Sequence, residues 1–454
     1  MKTLVESSAK LRSQGKLEEA LLLIENYIKN NGEEYRAKIL AAEYSEKLSN
    51  FSKATNYYVD SIKANPSDAF NYLNFARFLL RRNEYSKSLE NFEKAFAIDQ
   101  NSPIILTQFG RINLIIGNTN RAEELLESAL KIQRDLPQAD YLLALTKLKL
   151  NKFEEGWSLY NKRQNFLNFK YISLGVINPN VFEFKKKWNG QSLDKKKLVI
   201  IPEQGFGDFI MFGRYIKVLK DSYDVDIILL CHPSFVDLFS NCKHINKIFS
   251  ISSMDFEESN QGFDHWTTIF DLPVFFKNYP LKNFNHPYIY PKKNIKFDNY
   301  FSKDSLNLGL CWRSSSTSLN SINKSIPSLS FFSKLFNNKE ISLYSLQLNY
   351  PEEDKLLFPS NMFDFSGQIN NFNDTANIIT KLDAVITVDT AVAHLSGATN
   401  IPTHLLLPMY ESDWRWSENT DKSIWYPSVT IYRLSKDNAW EDLIDSIIVN
   451  LGID

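Results

Sequence analysis

The chain has 454 residues, of which 43% are hydrophobic and 23% charged, a composition typical of folded proteins and not of disordered ones. At roughly 100 to 200 residues per domain, this length predicts about two to four domains. Lysine and arginine total 52 against 53 acidic residues, so no overall charge attracts nucleic acid or an acidic membrane. The three cysteines, Cys231, Cys242 and Cys311, are too few for a disulfide framework and lack the C-x-x-C spacing of a zinc site.

The amino terminus lacks the features of a signal peptide, because Glu6 precedes any apolar run. No stretch of the sequence approaches the roughly 18 apolar residues that a membrane-spanning helix needs. We therefore expect a cytoplasmic protein with no membrane span.

The first third of the chain repeats with a period of 34 residues. Small residues recur at two positions of the period: Ala20, Ala54, Ser88, Ala122 and Gly156, and Ser8, Ala42, Ala76, Gly110 and Ala144. Turn-forming residues recur at a third: Gly15, Ser49, Asn83, Gly117 and Asn151. Large apolar or aromatic residues recur at a fourth: Ile24, Tyr58, Phe92, Leu126 and Tyr160. Because paired helices cross closely only where both carry small residues, this pattern predicts stacked helix pairs.

The period and the pattern resemble the tetratricopeptide repeat (TPR), which predicts an α-solenoid over residues 1–168. A solenoid of this kind has a concave groove that can hold an extended peptide or a partner protein. The alternative is a scaffold that only caps or dimerises the domain that follows.

Beyond the repeat, short apolar runs alternate with helical segments, a pattern that indicates βαβ units and parallel sheets. A first series of candidate strands covers residues 198–202, 225–231, 245–251 and 266–270. A second series covers residues 308–312, 341–346, 384–388, 404–407 and 429–432, after a segment at 280–303 that is typical of a linker. We predict two Rossmann-like domains, 169–300 and 301–454, with ligands bound at the carboxyl ends of their strands.

The first candidate site is the loop Glu203-Gln-Gly-Phe-Gly-Asp208, which follows the first predicted strand and precedes a helix expected to begin near residue 209. Gly205 and Gly207 would let backbone amides approach a ligand. The loop is not a dinucleotide fingerprint, because Ile210 replaces the third glycine. Asp208 is a candidate catalytic carboxylate, and the alternative is a helix N-cap.

The second candidate site follows the predicted strand 384–388. Asp389 and Thr390 lead there into a helix of small residues, so Thr390 and the amides from Ala391 onward can hold phosphate oxygens. The alternatives are that Asp389 or Thr390 is a simple N-cap and that His394 is a packed, hydrogen-bonded histidine.

Two further groups contain cations. Arg313 follows the first strand of the second series, and Lys324 lies a few residues later, both suited to a pyrophosphate. For Lys324 alone, the alternative is a solvated surface pair. The segments Asp413-Trp-Arg-Trp416 and Trp425-Tyr-Pro427 place several aromatic rings near Arg415. These rings either stack on a base or sugar or pack in the core.

From about Phe153 onward, the chain resembles bacterial TPR-fused glycosyltransferases related to the ADP-heptose:lipopolysaccharide heptosyltransferases, which have the GT-B fold. The matching segments are Phe153-Glu-Glu-Gly-Trp-Ser-Leu-Tyr160, Glu203-Gln-Gly-Phe-Gly-Asp208, Phe212-Gly-Arg-Tyr215, Asp374-Thr-Ala376, Val388-Asp-Thr-Ala-Val-Ala-His394 and Asp413-Trp-Arg-Trp416. The resemblance implies that Asp208 is the general base and that Lys324 contacts the donor phosphate. It also implies that the segment with Asp389, Thr390 and His394 lines the donor site.

These observations predict an enzyme with a TPR solenoid followed by an α/β GT-B fold, which transfers a sugar from a nucleotide-sugar donor to an acceptor hydroxyl. The predicted catalytic residue is Asp208, on a loop with Gly205 and Gly207. The predicted donor-binding residues are Arg313, Lys324, Gln347, Asp389, Thr390, Ala391 and His394.

We expect inversion by a single displacement, with no metal and no cofactor besides the nucleotide-sugar substrate. The D-x-D string Asp224-Val-Asp226 is predicted at the start of its strand, the wrong edge for a catalytic ion. By architecture the chain also resembles TPR-bearing protein O-glycosyltransferases, which implies a protein or peptide acceptor held in the TPR groove, such as a surface or flagellar protein. The alternatives are a glycan- or lipid-linked acceptor, as in the heptosyltransferases, and a catalytically inactive TPR scaffold.

Overall fold

The computed structural model describes residues 1–32, 34–163, 186–252, 262–276, 287–314, 323–336, 338–436 and 439–453. The chain divides into two compact units, Met1–Thr146 and Lys147–Asp454. The predicted boundary at 168/169 lies outside the described residues. The boundary at 300/301 stays a prediction.

The first unit is built from antiparallel helix pairs. Its helices are α1 (Lys2–Ser13), α2 (Leu17–Asn30), α3 (Tyr35–Lys47), α4 (Phe51–Ala64), α5 (Ala69–Arg81), α6 (Tyr85–Ile98), α7 (Pro103–Ile115), α8 (Thr119–Ile132) and α9 (Pro137–Lys149), which runs into the second unit. The predicted solenoid is confirmed.

The periodic positions explain these helix pairs. The predicted turn residues all adopt left-handed backbone conformations: Gly15, Ser49, Asn83, Gly117 and Asn151. The predicted crossing residues are buried, and a Cβ added to Gly110 would lie 2.7 Å from Leu126 Cγ. A helix pair could therefore not close at this position around a larger residue.

The second unit begins with the end of α9 and with α10 (Phe153–Tyr160), followed by two parallel sheets. The first sheet has the strand order β1-β5-β2-β3-β4. Its strands are β1 (Lys186–Lys187), β2 (Lys196–Ile201), β3 (Val225–Cys231), β4 (Lys247–Ser250) and β5 (His265–Thr268). The associated helices are α11 (Phe206–Phe212), α12 (Arg214–Ser222), α13 (Val236–Phe239) and α14 (Leu272–Phe276).

The second sheet has the order β11-β10-β9-β6-β7-β8. Its strands are β6 (Leu306–Cys311), β7 (Ile341–Ser345), β8 (Met362–Asp364), β9 (Ala384–Val388), β10 (Thr403–Leu407) and β11 (Val429–Arg433). The associated helices are α15 (Glu352–Lys355), α16 (Phe372–Ile379), α17 (Ala391–Ala398) and α18 (Trp440–Leu451). Its core contains fully buried residues of β6 and β9, among them Leu308, Leu310 and Ile386.

Each sheet has one switch point, where successive strands change from one side of a central strand to the other. The central strand is β2 in the first sheet and β6 in the second. Counted in chain order, the second sheet has the doubly wound order 3-2-1-4-5-6, with its switch point between β6 and β9. In the first sheet, β3 and β4 lie on one side of β2 and β5 lies on the other. Ligands of open α/β sheets bind outside the carboxyl ends of the strands at such points.

The segment expected to be a linker packs on the second half of the α/β unit where it is described. The amide of Tyr288 donates to the carbonyl of Ala398 over 3.1 Å, and Asn373 Oδ1 accepts from the amide of Lys292 over 2.8 Å. Among the described residues, no helix is long and apolar enough to cross a membrane.

Candidate active site

Asp208 lies in the first turn of α11, at the carboxyl end of β2. The helix begins at Phe206, three residues before the position expected from the sequence, and Gly205 is its N-cap. Asp208 is therefore the third helical residue, and the interpretation of this side chain as an N-cap is wrong. Its Oδ2 atom instead accepts a hydrogen bond from the amide of Gly205 over 2.8 Å. This bond fixes the orientation of the carboxylate.

Gly207 brings α11 close to α17. A Cβ on Gly207 would lie 2.4 Å from Cδ2 of His394, a distance that carbon atoms cannot adopt. The neighbour of Gly207 in the structure is thus a side chain from the second sheet's half of the unit. Contact of this loop with a ligand stays a prediction.

Asp389, at the carboxyl end of β9, uses both carboxylate oxygens. Oδ2 accepts from Nζ of Lys324 over 2.6 Å, and Oδ1 accepts from Nε1 of Trp416 over 2.9 Å. The attraction of Asp389 raises the pKa of Lys324 above its ordinary value. The lysine side chain is 23% exposed, so Lys324 is a partly buried, charged group and not a solvated surface pair.

Thr390 is the N-cap of α17. Its hydroxyl oxygen accepts from the amide of Val392 over 3.2 Å, which confirms the capping alternative for this residue. Ala391 is the first residue of the helix, where the dipole of the backbone favours an anion. Contact of Thr390 and Ala391 with phosphate stays a prediction.

His394 is a packed histidine, as the alternative interpretation stated. It is 4% exposed, its Nδ1 atom lies 2.9 Å from the hydroxyl of Tyr426, and its ring stacks on Trp416 with centroids 5.3 Å apart. Burial lowers the pKa of His394 to about 3, so the ring is neutral at physiological pH. Packing of the tryptophans around it is confirmed as well, since Trp414, Trp416 and Trp425 are all buried.

Arg313 and Gln347 lie together at the carboxyl ends of β6 and β7. Nε of Arg313 donates to Asp354 over 2.8 Å, and its Nη2 donates to the carbonyl of Pro327 over 2.9 Å. Oε1 of Gln347 accepts from the amide of Arg313 over 2.9 Å. The side chain of Arg313 thus pairs with Asp354 and not with Asp208 or Asp389, in the part of the chain that the structure describes. Its role at a donor phosphate stays a prediction.

Arg415 lies in one of the candidate segments, 413–416, but the sequence did not predict it as a site residue. It is 5% exposed and forms an ion pair with Asp208 through Nη2 and with Asp413 through Nη1, the latter over 2.7 Å. Burial raises the pKa of Asp208, and Arg415 partly opposes that shift. Although burial opposes it, Arg415 and Lys324 lower the pKa of Asp413. The signals in the sequence were an arginine between two tryptophans and the place of this segment among those that carry the family resemblance.

These side chains form one group, which we call the charge cluster and define as Asp208, Lys324, Asp389, Asp413 and Arg415. Arg415 pairs with Asp208 beyond the carboxyl end of β2, and Lys324 pairs with Asp389 at the carboxyl end of β9. The charge of Asp413 acts on both cations and so links the two pairs. The cluster holds two cations and three carboxylates, so its formal charge is negative when all five are ionised. It combines a carboxylate that can take a proton with cations that can bind an anion.

A second network fills the switch point of the first sheet. Arg163 is buried and donates from Nε to Glu203 over 2.5 Å, and from Nη2 to Thr268 over 3.1 Å and Asp271 over 3.0 Å. Lys187 also pairs with Asp271, over 2.9 Å. We call these residues the Arg163 network. Because Glu203 begins the loop that ends at Asp208, the network anchors this loop to β5.

Helix α10 contacts both halves of the α/β unit. The ring of Trp157 lies 5.6 Å from the ring of Phe212 on one side and 5.6 Å from that of Trp414 on the other. The hydroxyl of Tyr160 accepts from Nε2 of Gln204 over 2.6 Å. The last helix of the repeat period thus supports the loop that carries Asp208.

The D-x-D string lies at the amino end of β3, as predicted, since Asp224 immediately precedes the strand and Asp226 is its second residue. Oδ1 of Asp226 accepts from Asn246 over 2.9 Å. Both aspartates are therefore at the edge of the sheet opposite to the charge cluster.

Comparison with known proteins supports the repeat. A family model described as the cilia and flagella-associated protein 70 middle TPR-like domain matches residues 37–160. Protein FlbA of Caulobacter vibrioides is 22% identical over 438 residues, which cover 89% of this chain and 70% of that protein.

Among solved structures, TTC0263, a thermophilic TPR protein of Thermus thermophilus, is 20% identical and covers 36% of this chain and 90% of its own, with a TM-score of 0.31. PilW, a type IV pilus biogenesis factor, is 22% identical and covers 38% of this chain and 81% of its own, with a TM-score of 0.34. The family match and the 34-residue pattern together identify a TPR repeat in the first third of the chain.

Proposed function

We propose that the protein is a glycosyltransferase that uses a nucleotide-sugar donor and an acceptor hydroxyl. The observation that carries this proposal is the charge cluster, which brings Asp208 from the first sheet's half against Arg415 from the second. It lies beside the β6/β9 switch point, the position where doubly wound sheets bind nucleotides. Two such halves facing one another are the arrangement of the GT-B fold that the sequence resembles.

The proposed roles follow from charge and position. Lys324 stabilises the diphosphate, on which negative charge builds up as the sugar leaves. The amino end of α17, with Thr390 and Ala391, adds a second electropositive element. Asp208 accepts the proton of the acceptor hydroxyl as its oxygen attacks the anomeric carbon, which predicts inversion. Its raised pKa makes the carboxylate a stronger base than an ordinary aspartate.

We further propose that the acceptor is a protein held by the TPR unit. Stacked helix pairs form an extended concave surface that suits a peptide. The described helices of the first unit leave Phe70 and Ile104 exposed, at 42% and 50%, which gives this unit apolar contact surface.

A thermal-shift panel with ADP, UDP, GDP and CMP tests the donor site. At a concentration about 100 times its Kd, the nucleotide of the correct donor stabilises the protein by roughly 2.7 kcal/mol. A shift with one nucleotide is the expected result. If none of the four shifts the unfolding transition, the nucleotide site is refuted and the inactive scaffold is favoured.

Transfer of labelled sugar to fractions of a cell extract tests the acceptor. We expect label in protein with the full chain. A variant without residues 1–132, which keeps α9 and α10, should retain the nucleotide shift and lose this transfer. Label in lipid or glycan fractions, or full transfer to protein by the shortened chain, would contradict the role of the repeat.

A further inference from the structure

The proposed roles leave the Arg415 guanidinium unused. The side chain is 6% exposed, and its guanidinium carbon lies 4.4 Å from the centre of the Trp414 ring. A buried guanidinium stacked on an aromatic ring has a fixed orientation. Arginine binds phosphate oxygens through parallel N–H donors, so a fixed guanidinium suits a diphosphate well.

Arg415 also has unused hydrogen-bonding capacity. Its Nη1 atom donates to Asp413 over 2.7 Å. Its Nη2 atom contacts Oδ1 of Asp208, whereas its Nε atom is buried and has no hydrogen-bond acceptor among the described residues. Buried N–H groups without acceptors are unfavourable, so this side chain gains from an additional oxygen ligand.

The hydrogen bonds of Asp208 and Asp413 show which of these two carboxylates can separate from Arg415. Asp413 also accepts from the backbone amide of Arg415 over 3.0 Å, which holds these two residues together. Asp208 is bound to Arg415 through Oδ1 only, while Oδ2 is held by the Gly205 amide. If a phosphate oxygen displaced Asp208 from Nη2 of Arg415, Oδ1 would become available, and the bond from Gly205 would keep the carboxylate in its orientation.

We propose that Arg415 is a ligand of the donor diphosphate and that the diphosphate competes with Asp208 for this guanidinium. This inference rests on the proposed function and adds a residue to its donor site. Binding of the donor then releases Oδ1 of Asp208, the atom that accepts the proton of the acceptor hydroxyl. Donor binding and activation of the base are thereby linked through one side chain.

A double-mutant cycle on nucleotide affinity tests the competition. Calorimetry would use ADP, UDP, GDP and inorganic pyrophosphate with the wild type, D208N, R415M and the double variant. Removal of the competing carboxylate in D208N should tighten diphosphate binding about tenfold, and R415M should weaken it about tenfold or more. In the R415M background, D208N should change the affinity less than about twofold.

The outcomes separate this inference from the proposed function. If D208N tightened binding equally in both backgrounds, Asp208 would act as a general negative charge and the competition would be refuted. Unchanged or weaker binding by D208N would refute it as well. If R415M failed to fold, R415Q would replace it, since glutamine is neutral but keeps a side-chain N–H donor, and it should give the same loss of coupling. Absence of binding by any probe to wild type and D208N would refute both proposals.

Discussion

Replacement of Asp208 by asparagine separates the structural from the catalytic role of this side chain. An asparagine oxygen can still accept from the Gly205 amide, so the first turn of α11 keeps its bond. The ion pair with Arg415 is lost, but Arg415 retains Asp413 at 2.7 Å. We therefore expect D208N to fold, with a loss of about 1.5 to 3 kcal/mol in the free energy of unfolding, the range for a hydrogen bond to a charged group.

The effect on turnover should be much larger. General base catalysis contributes roughly 10² to 10⁴-fold, which corresponds to about 2.7 to 5.5 kcal/mol of activation free energy. Release of nucleotide by the slow transfer of sugar to water gives an assay that needs no acceptor. Because the base works only when ionised and burial raises the pKa of Asp208, wild-type turnover should fall on acidification above the ordinary range of an aspartate. D208N should lack this acid limb.

Asp442 provides a matched control. It is also the third residue of its helix, α18, and accepts from the amide of Ala439 over 2.6 Å, but it is exposed. D442N should cost less than about 1 kcal/mol of stability and leave turnover unchanged. If D208N kept more than about a third of wild-type turnover, with chemistry rate-limiting, Asp208 would be structural only.

Three further substitutions test other parts of the account. Lys324→Ala should weaken nucleotide binding by roughly 1.5 to 3 kcal/mol in calorimetry. The control Lys334→Ala breaks an exposed ion pair of the same 2.6 Å length and should leave nucleotide affinity unchanged. If the two variants bound the nucleotide equally well, the donor would bind elsewhere. Arg163→Ala leaves the buried carboxylate of Glu203 without its cation, while Asp271 keeps Lys187. The stability of the α/β unit should fall by about 3 to 5 kcal/mol in denaturant titrations, against at most about 1 kcal/mol for Arg81→Ala, which breaks a surface pair with Glu46. A loss as small as that of Arg81→Ala would contradict the anchoring role. Gly207→Ala places a Cβ 2.4 Å from the ring of His394 and should lower the free energy of unfolding by about 1 to 3 kcal/mol. An unchanged midpoint of unfolding would show that α11 and α17 separate easily.

The sequence predicted the repeat and the main strands well, because both depend on local periodicity. β3 and β9 have the predicted bounds, and the other predicted strands differ by at most two residues at either end. β1 and β8 were missed, since strands of two and three residues are too short to show a pattern. They exist because the edges of neighbouring strands β5 and β7 offer backbone partners.

The site was predicted less completely, because its contacts join distant parts of the chain. The sequence could place Asp208, Lys324 and Asp389 at strand ends, but not the pairing of Lys324 with Asp389. Asp208 was a possible N-cap because the helix was expected to begin near residue 209. The hydrogen bond from the Gly205 amide to Asp208 supports an earlier start, at Phe206. The ion pair of Arg415 with Asp208 could not be predicted, since the two residues lie about 200 positions apart in the sequence.

The central claim is that a nucleotide sugar binds at the carboxyl ends of β6 and β9. A crystal structure of the full chain with the nucleotide that stabilises it most tests this claim most directly. We expect density for the nucleotide at these strand ends, with phosphate oxygens within hydrogen-bond distance of Lys324 Nζ and Arg415. A nucleotide bound at any other edge of the two sheets, with the charge cluster unchanged, would contradict the account.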